Sequence, residues 1–302
     1  KKMKWSSSLL LFLTACIWGF AFAFQSQGMD RMGPYTFNCA RFFIGAVVLV
    51  PVIFLFKKPG EKKKITKKDI KLTILGGIIC GGCLFTASTL QQFGIRYTSV
   101  GKAGFLTTLY IILVPIILGI FLKRKVSFIV WIGAGLSVVG MYLLCVSETM
   151  SLNKGDIYAF CCAIVFSFHI IAVDYFAPKT NGIVLSCLQF FTSGIVALIF
   201  ALILEEPSFS QLINGIIPLL YVGIMSSGVG YTLQIMGQKN ADPTIASLIM
   251  SLESAVSVLG GFIILGEKLT IKELIGCLFM FVAVIGVQVF DSKKSEEKEI
   301  TN

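Results

Sequence analysis

The sequence predicts an all-α membrane protein whose ten transmembrane helices form two inverted five-helix repeats. Three observations predict this. Of 302 residues, 56% are hydrophobic and only 14% charged, and the mean hydropathy is +0.86, whereas a soluble domain is roughly 45–50% apolar even with glycine counted. Apolar runs of about 20 residues, each long enough to cross a hydrocarbon core of roughly 30 Å, follow one another with mostly short links. Finally, the second half of the chain repeats the first at a nearly constant offset.

The ten runs cover 5–27, 34–56, 70–94, 99–121, 127–146, 155–176, 183–204, 212–237, 243–265 and 271–290. They are continuously apolar rather than alternating, so each satisfies its backbone internally as a helix and not as a strand of a barrel. The first run is too long for a cleaved secretion signal and lacks its small-residue site, and is expected to be retained. All nine cysteines fall within the runs and read as small packing residues, including the pair of "CGGC" at 80–83, which has redox spacing but no polar surroundings.

The net charge of +10 raises the question of a nucleic-acid partner, which the placement of the charges answers. With the N-terminus in the cytoplasm, that face receives Lys1, Lys2, Lys4, eight lysines from Lys57 to Lys71, Lys123 to Lys125, Lys179, Lys239, Lys293, Lys294 and Lys298. Such a bias orients a multi-pass protein of the cell membrane with both termini cytoplasmic. The partners expected are therefore the lipid bilayer, a small-molecule solute and protons as coupling ion, with no nucleic acid; oligomeric state is not legible.

Shifting the chain by 148 places Phe12 on Phe160, Ala15 on Ala163, Cys39 on Cys187, and Phe42 and Phe43 on Phe190 and Phe191; Arg41 meets Gln189. Beyond the lysine-rich link the shift is 143, where "TLQQFG" meets "TLQIMG", Gln91 meets Gln234, Leu109 meets Leu252 and Gly133 meets Gly276. Two units follow, 1–150 and 151–302. A unit with an odd number of crossings ends on the opposite face, so its copy inserts upside down and the solute site falls at the midplane between the halves.

The stretches "ACIWGFAFAFQSQGMDRMGPYTFNCARFFIGAVVL" and "IASLIMSLESAVSVLGGFIILGEKLTIKELIGCLFMFVAVIGV" resemble the two signature regions of the EamA-type drug/metabolite transporters, with the Trp18-Gly19 pair, the helix of Arg41 and the "GEKLT" turn before Gly276 as the most specific pieces. The resemblance spans about 5–290. It implies a ten-helix secondary carrier of small metabolites, often an exporter of amino acids, with a cavity lined mainly by the first, third, fourth, sixth, eighth and ninth helices. Glu253 departs from the neutral residue expected at its position.

Ionisable groups inside a membrane are functional candidates. Glu253 lies about ten residues, or roughly 15 Å, into its run, and its repeat partner Tyr110 is also central. A carboxylate there either pairs with a cation or takes up a proton; the structural alternative is a hydrogen bond to Ser251 or Ser254 that holds helices together. Trp18, Gln91, Tyr110, Tyr231, Gln234 and Glu253 are the expected solute contacts, with Phe20, Phe22 and Phe24 as further candidates for an aromatic wall. Proton coupling falls to Glu253 or His169, the latter more simply a core residue. Arg41, with Gln189 as its uncharged twin, reads as a structural or gating clamp, and Asp174 as a partner of interfacial water or Lys179.

No HExxH, Cys/His metal set, GxSxG or phosphate-binding loop occurs, so neither an enzyme nor a cofactor or metal is expected. The reading is a secondary transporter moving an amino acid or related metabolite outward by alternating access. The alternatives are an importer or exchanger of a cationic solute such as a quaternary ammonium compound, and a flippase of a lipid-linked substrate.

Overall fold

Residues 5–55, 66–98, 100–145, 153–265 and 270–300 are described by the computed structural model, and they contain helices and no strand. The lysines at the chain start and in the 56–65 link, and the "GEKLT" turn as far as Leu269, lie outside them, as do the side chains of Cys145 and of residues 291–300.

Local chemistry places most helix starts. Thr66 and Asp69 form a reciprocal cap at the head of α3 (Lys67–Tyr97), and Asn153 and Asp156 do the same for α7 (Lys154–Phe176), each pair satisfying amide groups that a helix start leaves unpaired. Asn181 Oδ1 accepts from the amides of Ile183 and Val184 at the start of α8 (Gly182–Leu204). Preceding these come α1 (Trp5–Met29) and α2 (Pro34–Leu55), with α4 (Val100–Thr108), α5 (Tyr110–Ile120) and α6 (Phe128–Cys145) between α3 and α7. After α8 the chain continues through α9 (Phe209–Asn214), α10 (Ile216–Leu220), a wide-turned π-helical segment (Tyr221–Tyr231), α11 (Thr232–Gln238), α12 (Pro243–Met250), α13 (Glu253–Leu265) and α14 (Ile271–Ile300).

Among the described residues, nine helical stretches are long and apolar enough to cross a membrane, and the apolar stretch Phe128–Leu143 is shorter. Large apolar side chains point outward where lipid would lie, for example Val47, Phe54, Leu202, Phe262, Leu278 and Ile285. Lipid is as apolar as leucine, so helices associate through close backbone approach and internal polar bonds. Small residues provide it. A Cβ on Gly140 of α6 would sit 2.7 Å from the Gly276 carbonyl of α14, and one on Gly19 of α1 2.8 Å from the Glu253 carbonyl of α13. Cys80, of the "CGGC" motif, is buried with Val173, Phe176 and Leu185, and Cys80 and Cys83 are both free thiols.

Three runs expected to be single helices are interrupted. The 99–121 run breaks at Leu109 and the 243–265 run at Ser251 and Leu252. Hydroxyls explain the second break: Ser247 Oγ and Ser251 Oγ donate to the carbonyls of Thr244 (2.8 Å) and Leu248 (2.7 Å), competing with the helical ladder. Thr108 donates likewise to Gly104, and Pro115 withholds a donor nearly two turns further on. In the 212–237 run the wide turns fall on Gly223, Ser226, Ser227, Gly228 and Gly230.

Two ion pairs tie α7 to neighbouring segments. Lys102 Nζ lies 2.6 Å from Asp156, and Arg124 Nη1 lies 2.8 Å from Asp174. Asp174 thus pairs with Arg124, while Lys179, its expected partner, has its Nζ 3.1 Å from the Tyr175 ring centre.

Close packing at α6–α14 yields a contrast. Gly140→Leu forces backbone and Met280 apart and lowers stability by about 1–3 kcal/mol, read as a lower melting temperature of the purified protein. Gly135→Leu, on the same helix with nothing within 4 Å of its added Cβ, leaves the melting temperature within error; equal losses in both variants would contradict this packing.

Candidate functional site

One pocket gathers polar groups from six separate stretches of chain. Its wall consists of Trp18, Phe22 and Gln25 from α1, Arg41 from α2, Gln91 from α3, Tyr110 from α5, Phe166 and Ile170 from α7, Ser226 and Tyr231 from the π-helical segment, Gln234 from α11 and Glu253 from α13. About 410 Å³ of space not occupied by atoms lies within it, open solvent at its mouth included. All six residues expected to touch a solute are on this wall.

Glu253 anchors one side. Its carboxylate is 3% exposed and accepts a hydrogen bond from the Tyr110 hydroxyl at 3.0 Å. Each of the two residues opens the second half of an interrupted helix, Tyr110 at the head of α5 and Glu253 at the head of α13. The serines expected as alternative partners are turned elsewhere: Ser251 Oγ donates to Leu248, and Ser254 Oγ lies 2.5 Å from Thr108 Oγ1.

Aromatic groups form the adjoining surface. Trp18 Nε1 donates to the Ser226 carbonyl at 3.2 Å, and its ring centre is 4.6 Å from that of Tyr231. Gly230 permits this, because a Cβ there would lie 2.6 Å from Trp18 Nε1. Of the other phenylalanines considered, Phe22 lines the pocket, while Phe24 stacks on Tyr221 at 4.2 Å and Phe20 packs by Gly260. Gln91 and Gln234 are both buried, and Gln234 Oε1 has no partner among the described residues.

His169 stands behind the wall. Its Nε2 is 3.1 Å from Gln189 Oε1, and its ring meets that of Tyr231 edge-on at 5.9 Å. Gln189 is fully buried and is not on the wall. Arg41, expected as a clamp between helices, lies on the wall itself. The reason is the facing of α2: Phe37, Asn38, Arg41, Phe42 and Gly45 turn inward while Val47, Val50 and Phe54 turn outward.

Sequence reasoning missed Gln25, Phe166, Ile170 and Ser226. Two of these were signalled, since the offset of 148 that joins Phe42 to Phe190 also carries Trp18 onto Phe166 and Phe22 onto Ile170. Gln25 completes the i, i+4, i+7 face begun by Trp18 and Phe22. Ser226, whose carbonyl accepts from Trp18, gave no signal. Among the described residues no group of three or more His, Cys, Asp or Glu could hold a metal ion. The arrangement is suited to holding a small solute by aromatic surface, amide groups and one carboxylate.

The Tyr110 bond has a measurable consequence. Tyr110→Phe leaves the buried carboxylate without its donor and costs about 1–3 kcal/mol, whereas Glu253→Gln keeps an acceptor for the phenol and costs less. Melting temperatures of the two variants check the order; a Tyr110→Phe protein as stable as wild type would contradict the geometry.

The EamA-like transporter family model matches the chain twice, over residues 5–146 and 153–289. A protein of Archaeoglobus fulgidus described as an uncharacterized transporter is 31% identical over 288 residues, covering 94% of this chain and 86% of its own length. A second uncharacterized transporter, from Clostridium kluyveri, is 26% identical over 280 residues, covering 90% of this chain and 88% of its own. A protein of known crystal structure superposes with a TM-score of 0.76 over 95% of this chain and 98% of its own at 15% identity, a likeness of fold.

Proposed function

Since the chain belongs to the EamA-like transporter family and is a multi-pass membrane transporter, we propose that it is a secondary carrier exporting an amino acid or related small metabolite across the cell membrane. The observation that carries the proposal is the polar pocket around Glu253, walled by helices from both ends of the chain. Trp18, Gln91, Tyr110, Tyr231, Gln234 and Glu253 hold the solute. The outward direction rests on the family resemblance.

In this reading the protein has ten crossings, Phe128–Cys145 being the short one, and the units 1–150 and 151–302 are inverted copies. Contacts between matched residues support it, because residues related by a two-fold axis meet where they lie close to that axis. Tyr110 bonds to Glu253, and Phe42 stacks on Phe190 with ring centres 6.0 Å apart. Phe43 meets Phe191 edge-on at 6.4 Å, and α6 packs along α14. Eight wall residues fall into four matched pairs: Trp18 with Phe166, Phe22 with Ile170, Gln91 with Gln234, and Tyr110 with Glu253. The two family matches also fall one in each unit.

A buried carboxylate with one neutral donor is stabilised by a proton or by a cationic group of the solute. Exchange of one for the other couples proton entry to solute exit as the halves rock about the pocket. His169, behind Tyr231, tunes the wall without meeting the solute. Both termini lie in the cytoplasm.

Proteoliposomes test the proposal. Saturable counterflow of an amino acid that depends on the proton gradient is expected, and Glu253→Gln retains exchange but loses the dependence on pH. Absence of counterflow across a panel of amino acids, or a variant with unchanged pH dependence, would overturn the corresponding part. Tags on the two chain ends are expected to be reached only from the cytoplasmic face; tags on opposite faces would rule out the even number of crossings.

A further inference from the structure

Arg41 is 1% exposed and lies on the pocket wall. Its guanidinium is held from two sides. Nη1 donates to Gln25 Oε1 at 3.3 Å, and the same oxygen accepts from Gln92 Nε2. Phe42 packs against the guanidinium with its ring centre 4.7 Å from Cζ, and Phe37 lies further off at 5.8 Å.

These contacts leave Nε and Nη2 without an acceptor among the described residues, Glu253 included. Their N–H bonds form the side-on edge of the guanidinium, two parallel donors spaced to meet the two oxygens of a carboxylate. A buried cation whose forked edge reaches no acceptor is costly unless an anion completes it.

We propose that Arg41, fixed by Gln25 and Phe42, is the anion subsite of the pocket and binds a carboxylate of the solute side-on. The proposal rests on the pocket being the solute site and deepens that reading by assigning one end of the solute. Charge balance selects the ligand class. Arg41 and Glu253 are the only wall residues with full formal charges, one of each sign. A monocarboxylate that also bears an ammonium balances them, whereas a phosphate ester brings excess negative charge and a quaternary ammonium compound leaves Arg41 bare. Gln189, the matched residue on α8, is an amide bonded to His169 off the wall, so the subsite exists on one side only and gives the solute a fixed orientation.

The test uses the full chain purified in detergent, with free amino acids and their amides, which keep the ammonium and lose the carboxylate. Ligands that prefer the folded form raise its melting temperature. We expect one or more free acids to do so, with the matching amide needing at least about tenfold higher concentration, as befits loss of a charge-assisted fork. In Arg41→Gln the acid and its amide become equivalent, and Arg41→Lys, a charge without a fork, falls between. Amides equal to acids in the wild type, or an Arg41→Gln protein that keeps the preference, would overturn the subsite. Should Arg41→Gln fail to fold, the wild-type comparison decides alone. No shift from any acid also overturns it, and the counterflow assay then separates that failure from failure of the carrier reading.

Discussion

Lipid supplies no hydrogen bonds, so every polar group carried into the membrane must find its partner within the protein. The bond between Tyr110 and Glu253 is the sharpest case, a buried carboxylate at one helix break satisfied by a phenol at another. Several other interior polar groups follow the same rule, and Arg41 Nε and Nη2 and Gln234 Oε1, on the pocket wall, are among the exceptions. Gln25 accepts from Arg41 and Gln92, Asn38 donates to Thr89 at 3.2 Å, Gln238 donates to the Ile170 carbonyl at 3.0 Å, and His169 meets Gln189. Polar atoms collect between helices, and the outward faces are left to leucine, isoleucine, valine and phenylalanine.

That constraint also shapes the backbone. Serine and threonine hydroxyls that satisfy themselves on nearby carbonyls loosen the helix where they do so, and the breaks before Tyr110 and Glu253 follow such hydroxyls. Small residues act in the opposite sense, bringing helices close enough for van der Waals contact to hold them. At Gly230 the two effects meet: the missing side chain admits the Trp18 ring, whose N–H reaches the Ser226 carbonyl in the π-helical segment. The pocket wall and helix packing therefore draw on the same residues.

Much of this was legible in the sequence because hydropathy and periodicity act locally. The apolar runs coincide closely with the helices, as at 34–56 for Pro34–Leu55 and 183–204 for Gly182–Leu204. Depth along a helix placed Glu253 and Tyr110 in the interior, and self-similarity paired them. The facing of α2 was not legible, since Arg41 sits among residues that suit either lipid or core. The helix breaks were also missed: they come from hydroxyl-to-carbonyl competition, which composition does not display. Ser226 holds Trp18 through its backbone carbonyl, a bond on which side-chain identity carries no information.

The central claim is that the two halves meet head to head at the pocket through matched residues. Exchanging Tyr110 and Glu253 tests it most directly, through the melting temperatures of Tyr110→Glu, Glu253→Tyr and the double variant. The single changes set two carboxylates or two phenols against each other, while the double variant rebuilds a phenol–carboxylate pair from the opposite sides. The account predicts that the double variant regains most of the stability lost by the worse single variant. A double variant no more stable than that single one would contradict it.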